Sequence, residues 1–266
     1  KKDDVASNEA GFKYLIMGAF ATGFLLFGIT LIYGATASFD LPVIADFVAS
    51  HQGSIPTMFY VGVLLMMVGL GFKVSAAPFH FWAPDVYQGA PTPITAFMAT
   101  VVKTAAFAAF LRLFAGEFAG VGGIWTEVLC VMAALTLLTG NITAVFQLSA
   151  KRMLAYSSIA HAGYMLLALI ALNQFSQSSI LFYTLAYSIG SIASFGVLST
   201  VASAKGSDAV DSFNGLAKSN PLLAFAMTVA MLSLAGIPPT AGFFAKYYIF
   251  TAAFQAGYGW LVLIAI

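Results

Sequence analysis

Residues 69–93 read GLGFKVSAAPFHFWAPDVYQGAPTP, and the reading of this stretch decides the fold. It begins as the end of an apolar helix. Lys73 then sets an ammonium at the depth of a membrane, and Pro78 and Pro84 are expected to stop the helix from running on regularly. Even on the most lenient scale a lysine at the bilayer centre costs about 2.5–3.5 kcal/mol. Such a residue is kept where its head faces protein or water. A proline-broken helix beside a buried charge is the pattern of irregular backbone lining a polar cavity.

The remaining composition agrees with a membrane environment. The 266 residues are 61% hydrophobic and 8% charged, and mean hydropathy is +0.93. Soluble domains carry about 25% charged residues, so a soluble globule is excluded. Several apolar runs reach about 20 residues, enough to cross a hydrocarbon core about 30 Å thick. The net charge of +1 gives no reason to expect nucleic acid as a partner. The single cysteine, Cys130, lies in an apolar run and reads as small apolar filler, with no metal or redox pair. The polar start KKDDVASNEA does not show the pattern expected of a signal peptide. The final GWLVLIAI is too short an apolar run to cross, which leads us to expect a piece of a longer membrane protein.

The pattern predicts an all-α polytopic membrane protein with one transmembrane domain over residues 1–266. Seven helices are expected over about 11–34, 57–77, 92–115, 124–148, 152–172, 177–203 and 221–255, and an eighth begins near 257. Polar loops fall at 35–56 and 204–220. The helix from 221 meets Gly236-Ile237-Pro238-Pro239, a second break, before Lys246. Helix alternation places Lys151-Arg152 and the Lys205/Lys218 loop on one side. The loops on the other side hold no Lys or Arg, so the basic side and the N-terminal residue are expected in the cytoplasm. Trp82, Trp125 and Trp260 are expected at the membrane interface. The two broken helices run in opposite directions, as in an inverted-topology repeat.

Four groups stand out as candidates for proton movement: Lys73, Lys103, Lys246 and His161. Lys103 is too deep within 92–115 to reach either surface easily, Lys246 follows the second break, and His161 lies inside 152–172. Burial favours a neutral amine and a neighbouring carboxylate favours an ammonium, so a lysine pulled both ways can exchange a proton. Histidine titrates near neutral pH. The competing reading makes these residues structural, as ion-paired pins between helices or satisfied core groups. Tyr156, Ser157 and Ser158 either bond between helices or hold water along a relay. Lys13 stands at the interface or in the relay, and Asp85 pairs with a neighbour or carries protons. The sequence offers no mid-membrane carboxylate, P-loop, nucleophile elbow, metal spacing or haem pair.

These segments resemble the antiporter-like membrane subunits of respiratory complex I, the NADH–quinone oxidoreductase. The likeness is carried by GFKVSAAPFHFWAPDVYQGAPTP (71–93), NITAVFQLSAKRMLAYSSIAHAGYMLLAL (141–169) and MLSLAGIPPTAGFFAKYYIF (231–250). The PDVYQGAPTP wording points to the subunit N group over the sodium–proton antiporter subunits and the L and M subunits. The resemblance implies fourteen helices with two inverted five-helix repeats. Residues 1–115 would end the first repeat and 124–266 would form most of the second. It implies Lys73 and Lys246 as the lysines of the two broken helices, and Lys103 as the connecting lysine. Lys13 matches a further lysine, and His161 takes the place that a glutamate holds in the first repeat. It implies proton translocation with no cofactor bound by this chain, with NADH, FMN, iron–sulfur clusters and quinone in other subunits. Antiporter-like subunit M and small subunits such as K and J are the implied partners, in a bacterial inner (plasma) membrane. A cation–proton antiporter complex without redox chemistry is the alternative.

Overall fold

The computed structural model describes residues 4–173 and 175–266; the expected side of the N-terminal residue lies outside them. Every named element is helical, because a chain in hydrocarbon must satisfy its own N–H and C=O groups. In order these are α1 (Val5–Thr36), α2 (Leu41–Ser50), α3 (Thr57–Val74) and α4 (Trp82–Gly89). Then come α5 (Thr92–Phe97), α6 (Lys103–Phe110), α7 (Gly122–Val145), α8 (Ala150–Ala171) and α9 (Ser176–Lys205). The short α10 (Leu216–Ser219), α11 (Pro221–Ala235), α12 (Ala241–Gln255) and α13 (Gly259–Ala265) complete the chain. Six helical runs among the described residues are long and apolar enough to cross a membrane. The expected seventh is divided into α11 and α12, each 15 residues long.

Both expected breaks are present, and they begin alike. Ser75 (φ 61°) follows α3 and Gly236 (φ 83°) follows α11, each left-handed. At each, the next residue's N–H reaches back five residues: Ala76 to the Gly71 carbonyl, and Ile237 to the Leu232 carbonyl. This is the Schellman cap, which satisfies the last carbonyls of a helix. Pro78 lies in the first break, and Pro238 and Pro239 in the second. Pro84 is a correction. It sits in the first turn of α4, where a missing N–H costs nothing, so it helps start a helix and does not break one.

Three other expectations are corrected. The 35–56 loop contains α2, whose Ile44 and Val48 are buried one turn apart; ten residues cannot cross a bilayer, so length hid it. The 92–115 helix is interrupted by π-helical turns at Met98–Val102 and Leu111–Glu117. Trp82 and Trp125, expected at the interface as lipid-facing aromatics, are covered by protein. Each indole N–H donates to a backbone carbonyl at an irregular junction, Trp82 to Phe72 and Trp125 to Phe118. Trp260 is half exposed.

Close packing sets the bundle. α1 meets α3 at Gly28 and Gly62, where a Cβ on Gly28 would stand 2.7 Å from the Gly62 carbonyl oxygen. α7 meets α8 at Gly140, with Ala160 backbone as close. Small residues at such crossings let membrane helices approach. α8 is the axis: 83% of its apolar window is buried, against 56% or less for the other spans.

One end of the bundle holds Lys13, Lys151 and Arg152. The Ser7 hydroxyl donates to the Gly89 carbonyl, and Lys151 donates to the Gln88 and Ala90 carbonyls. The 204–220 loop is tied there too, through Ala150 N–H to the Asp208 carbonyl and Val210 N–H to the Leu148 carbonyl. α3 starts at the far end, where Phe59 meets Phe47 of α2, and runs toward the basic end. α11 starts at the basic end and runs away from it, so the two broken helices are antiparallel.

Candidate functional site

The site is built along α8. Ser158 and His161 are three residues apart and so share a face, toward Lys103 and α9. The π-turn at Met98–Val102 immediately precedes Lys103, and such insertions re-aim the side chains that follow. Lys103 is 1% exposed. Its ammonium donates to both the carbonyl and the hydroxyl oxygen of Ser158, each at 2.6 Å. The Tyr187 hydroxyl donates to the same Ser158 oxygen at 2.8 Å.

One turn along, the ring nitrogen Nδ1 of His161 lies 2.6 Å from the Tyr183 hydroxyl. His161 also packs against the rings of Tyr164 and Tyr187. Tyr164 leads onward: its hydroxyl is within 3.3 Å of the Asn141 amide, and the Lys246 ammonium sits 4.5 Å from the centre of its ring. Cation–π contact of this kind contributes about 0.5–2 kcal/mol. Lys246 also donates to the Ala235 carbonyl at 3.0 Å. That carbonyl ends α11, where the helix dipole is negative. A cavity of about 590 Å³ is lined by Asn141, Ser157, His161, Tyr164 and Lys246, with apolar neighbours. A second, polar cavity of about 600 Å³ lies at the basic end, beside Thr92, Lys151 and Asp208.

Thus Lys103, Ser158, His161 and Lys246 form one row, with Ser157 on the cavity wall. Lys73 stands apart, half-buried, its ammonium 5.8 Å over the Tyr14 ring. Among the described residues none of these three lysines is ion-paired with a carboxylate, and no group of acids, cysteines or histidines could hold a metal. Tyr156 is half-buried against the apolar core.

Lys13 and Asp85 belong to a different cluster. Asp85 accepts from Lys13 of α1 and from Arg152 of α8, both at 2.7 Å. Lys13 also meets Glu9 at 2.6 Å, and Arg152 reaches the Gln88 side chain at 2.9 Å. The carboxylate of α4 therefore clamps α1 to α8. The tyrosines at 164, 183 and 187, and Asn141, were not singled out from the sequence. The i, i+4 pair Tyr183/Tyr187 and the i, i+3 pair His161/Tyr164 were the available signal.

All 266 residues match the model of the NADH:quinone oxidoreductase/Mrp antiporter transmembrane family. NADH-quinone oxidoreductase subunit N of Trichlorobacter lovleyi is 50% identical over 267 residues, covering 100% of this chain and 55% of that protein. The chain thus spans about half the length of the curated relatives it matches. A chain of respiratory complex I from Thermus thermophilus, solved with bound aureothin, superposes with a TM-score of 0.81 at 44% identity. The match covers 97% of this chain and 55% of that one. A chain of the Mrp complex from Dietzia sp. superposes at 0.89 with 28% identity, over 98% of this chain and 48% of the other.

Proposed function

This chain belongs to the NADH:quinone oxidoreductase/Mrp antiporter transmembrane family, and from that premise we propose that it moves protons within a subunit N of a respiratory NADH–quinone oxidoreductase. One observation carries the reading. Lys103 is almost wholly buried, yet neutral oxygens of Ser158 hold its ammonium. A lysine that served only as a pin would offset its desolvation with a carboxylate. Held by neutral groups, it can give up a proton without breaking an ion pair. A proton leaving Lys103 passes to the Ser158 and Tyr187 hydroxyls, then to His161, then to Lys246 through the cavity they share. Hydroxyls and imidazole both donate and accept, so each can receive a proton on one side and release one on the other.

Lys73 belongs to the same path through water beside Tyr14. The division at 1–115 and 124–266 corresponds to two inverted repeats, supported by the antiparallel broken helices with matching caps. The basic end faces the cytoplasm of a bacterial inner membrane, by the excess of Lys and Arg there. NADH oxidation and quinone reduction, with FMN and iron–sulfur clusters, take place in other subunits. Antiporter-like subunit M and small subunits such as K and J are the neighbours.

The test uses the full-length subunit in its assembled complex in liposomes. Lys103→Ala and Lys246→Ala should keep NADH oxidation while proton pumping falls; unchanged pumping removes the residue from the path. The likeness to the Mrp complex chain supports a second reading, a cation–proton antiporter without redox chemistry. Flavin and iron–sulfur absorbance in the purified assembly favours the first reading, and their absence the second.

A further inference from the structure

Both hydrogen bonds described for the Lys103 ammonium go sideways, to Ser158 of α8. Along its own helix, away from the basic end, Lys103 shares a face with Phe107, Phe110, Phe114 and Phe118, at steps of four, three, four and four. All four rings are 0–1% exposed. Successive ring centres stand 6.2, 5.2 and 5.4 Å apart, and aromatic rings are in contact at about 4.5–7 Å. Phe114 also meets the edge of Trp125 of α7 at 5.2 Å. Phe118 meets Phe59, in the first turn of α3, at 5.9 Å. The column therefore runs from Lys103 to the end of the bundle where α3 starts.

The π-turn at Leu111–Glu117 keeps the column straight. In a regular α-helix a step of four residues carries a side chain about 40° round from the last. Here the Phe118 N–H reaches back five residues, to the Leu113 carbonyl at 2.8 Å. Each turn then holds more residues, and rings four apart stay in line. From Phe107 to Phe118 the column spans about 16 Å at 1.5 Å per residue. That is about half of a hydrocarbon core 30 Å thick. Touching rings leave no file for water, and a phenyl side chain gives a water no hydrogen-bond partner and a proton no carrier.

We infer that the Phe107–Phe118 column is a proton seal. It closes Lys103 off from the water at the end where α3 starts, so a proton on Lys103 exchanges only on its α8 side. A carrier open to both surfaces at once would let protons run back through it. The seal makes the step at Lys103 one-sided. This deepens the proton reading and rests on it.

Phe114→Leu and Phe114→Asn test the seal, because the two new side chains share one shape and differ in polarity. The space left by leucine is lined by apolar groups and stays dry, whereas the asparagine amide holds water. The assay follows decay of an imposed pH gradient, without NADH, in liposomes that carry the full-length subunit in its assembled complex. Phe114→Leu should keep the parent's rate of decay. Phe114→Asn should raise it about tenfold or more, since each tenfold corresponds to about 1.4 kcal/mol off the barrier. Equal decay in the two variants, slow or fast, overturns the inference. Should Phe114→Asn fail to assemble, a map of the parent assembly that resolves water elsewhere in the subunit decides the matter. No water density beside residues 107–118 supports the seal, and a file of water along them overturns it. Lys103→Ala run alongside separates the two failures. If it stops pumping while Phe114→Asn holds the gradient as well as the parent, the seal alone is wrong. If it pumps normally, the proton path itself is wrong, and the reason for a seal goes with it.

Discussion

Gly236→Ala is the substitution whose cost can be read most directly from the second break. Gly236 has φ 83°, and its N–H bonds the Leu232 and Ser233 carbonyls at 3.0 Å. An L-residue held there costs about 1–2 kcal/mol. The new Cβ would also stand 2.8 Å from Cδ of Lys246 and 3.3 Å from its Cε. The flexible lysine stem must withdraw, which pulls on the bond from its ammonium to the Ala235 carbonyl. Bonds to a charged group contribute about 1.5–3 kcal/mol, and the half-exposed setting argues for the low end. The sum is about 3 kcal/mol, with Lys246 displaced from the Tyr164 ring. The assay pairs thermal denaturation of the purified assembly with proton pumping in liposomes. Both should fall in Gly236→Ala. A variant with the parent's denaturation temperature and the parent's pumping would refute both the strain argument and the placing of Lys246.

Ser75→Gly acts in the opposite direction at the matching break. It relieves a left-handed non-glycine residue (φ 61°) and removes a buried hydroxyl that has no partner among the described residues, so the denaturation temperature should rise by the equivalent of about 1 kcal/mol. Asp85→Asn leaves Lys13 and Arg152 without their shared anion and should cost about 1–2 kcal/mol. The difference from the parent should shrink at high salt, because these groups are about one-third exposed. Gly140→Ala sets a Cβ 2.6 Å from the Ala160 nitrogen, which is backbone and cannot rotate away. It should force α7 from α8, destabilise the fold by about 1–3 kcal/mol and so lower the amount of assembled complex recovered.

The spans, both breaks and the polar row at Lys103, His161 and Lys246 were legible because a charge or a proline in an apolar run is costly enough to mark its own position. α2 was not, since a ten-residue amphipathic helix looks like a loop when the question asked is whether a segment crosses. Pro84 misled because a proline's effect depends on its position in a helix, and only the structure places it in a first turn. Asp85 could be read as either a partner or a carrier of protons. Its two cations come from residues 13 and 152, far apart in sequence, so its clamping role appears only when α1, α4 and α8 meet. The tyrosines of α9 were hidden for a similar reason. Aromatic residues on a membrane helix usually face lipid or core, and the i, i+4 spacing puts Tyr183 and Tyr187 on one face without saying that this face meets α8.

The claim beneath all of this is that the buried amines sit along a wet path. The most direct measurement is a cryo-electron-microscopy map of the intact membrane assembly, sharp enough to show ordered water elsewhere in the same subunit. The expected result is ordered water density in the cavity between His161 and Lys246. Contiguous apolar side chains filling that interval, with no water density along it, would contradict the account.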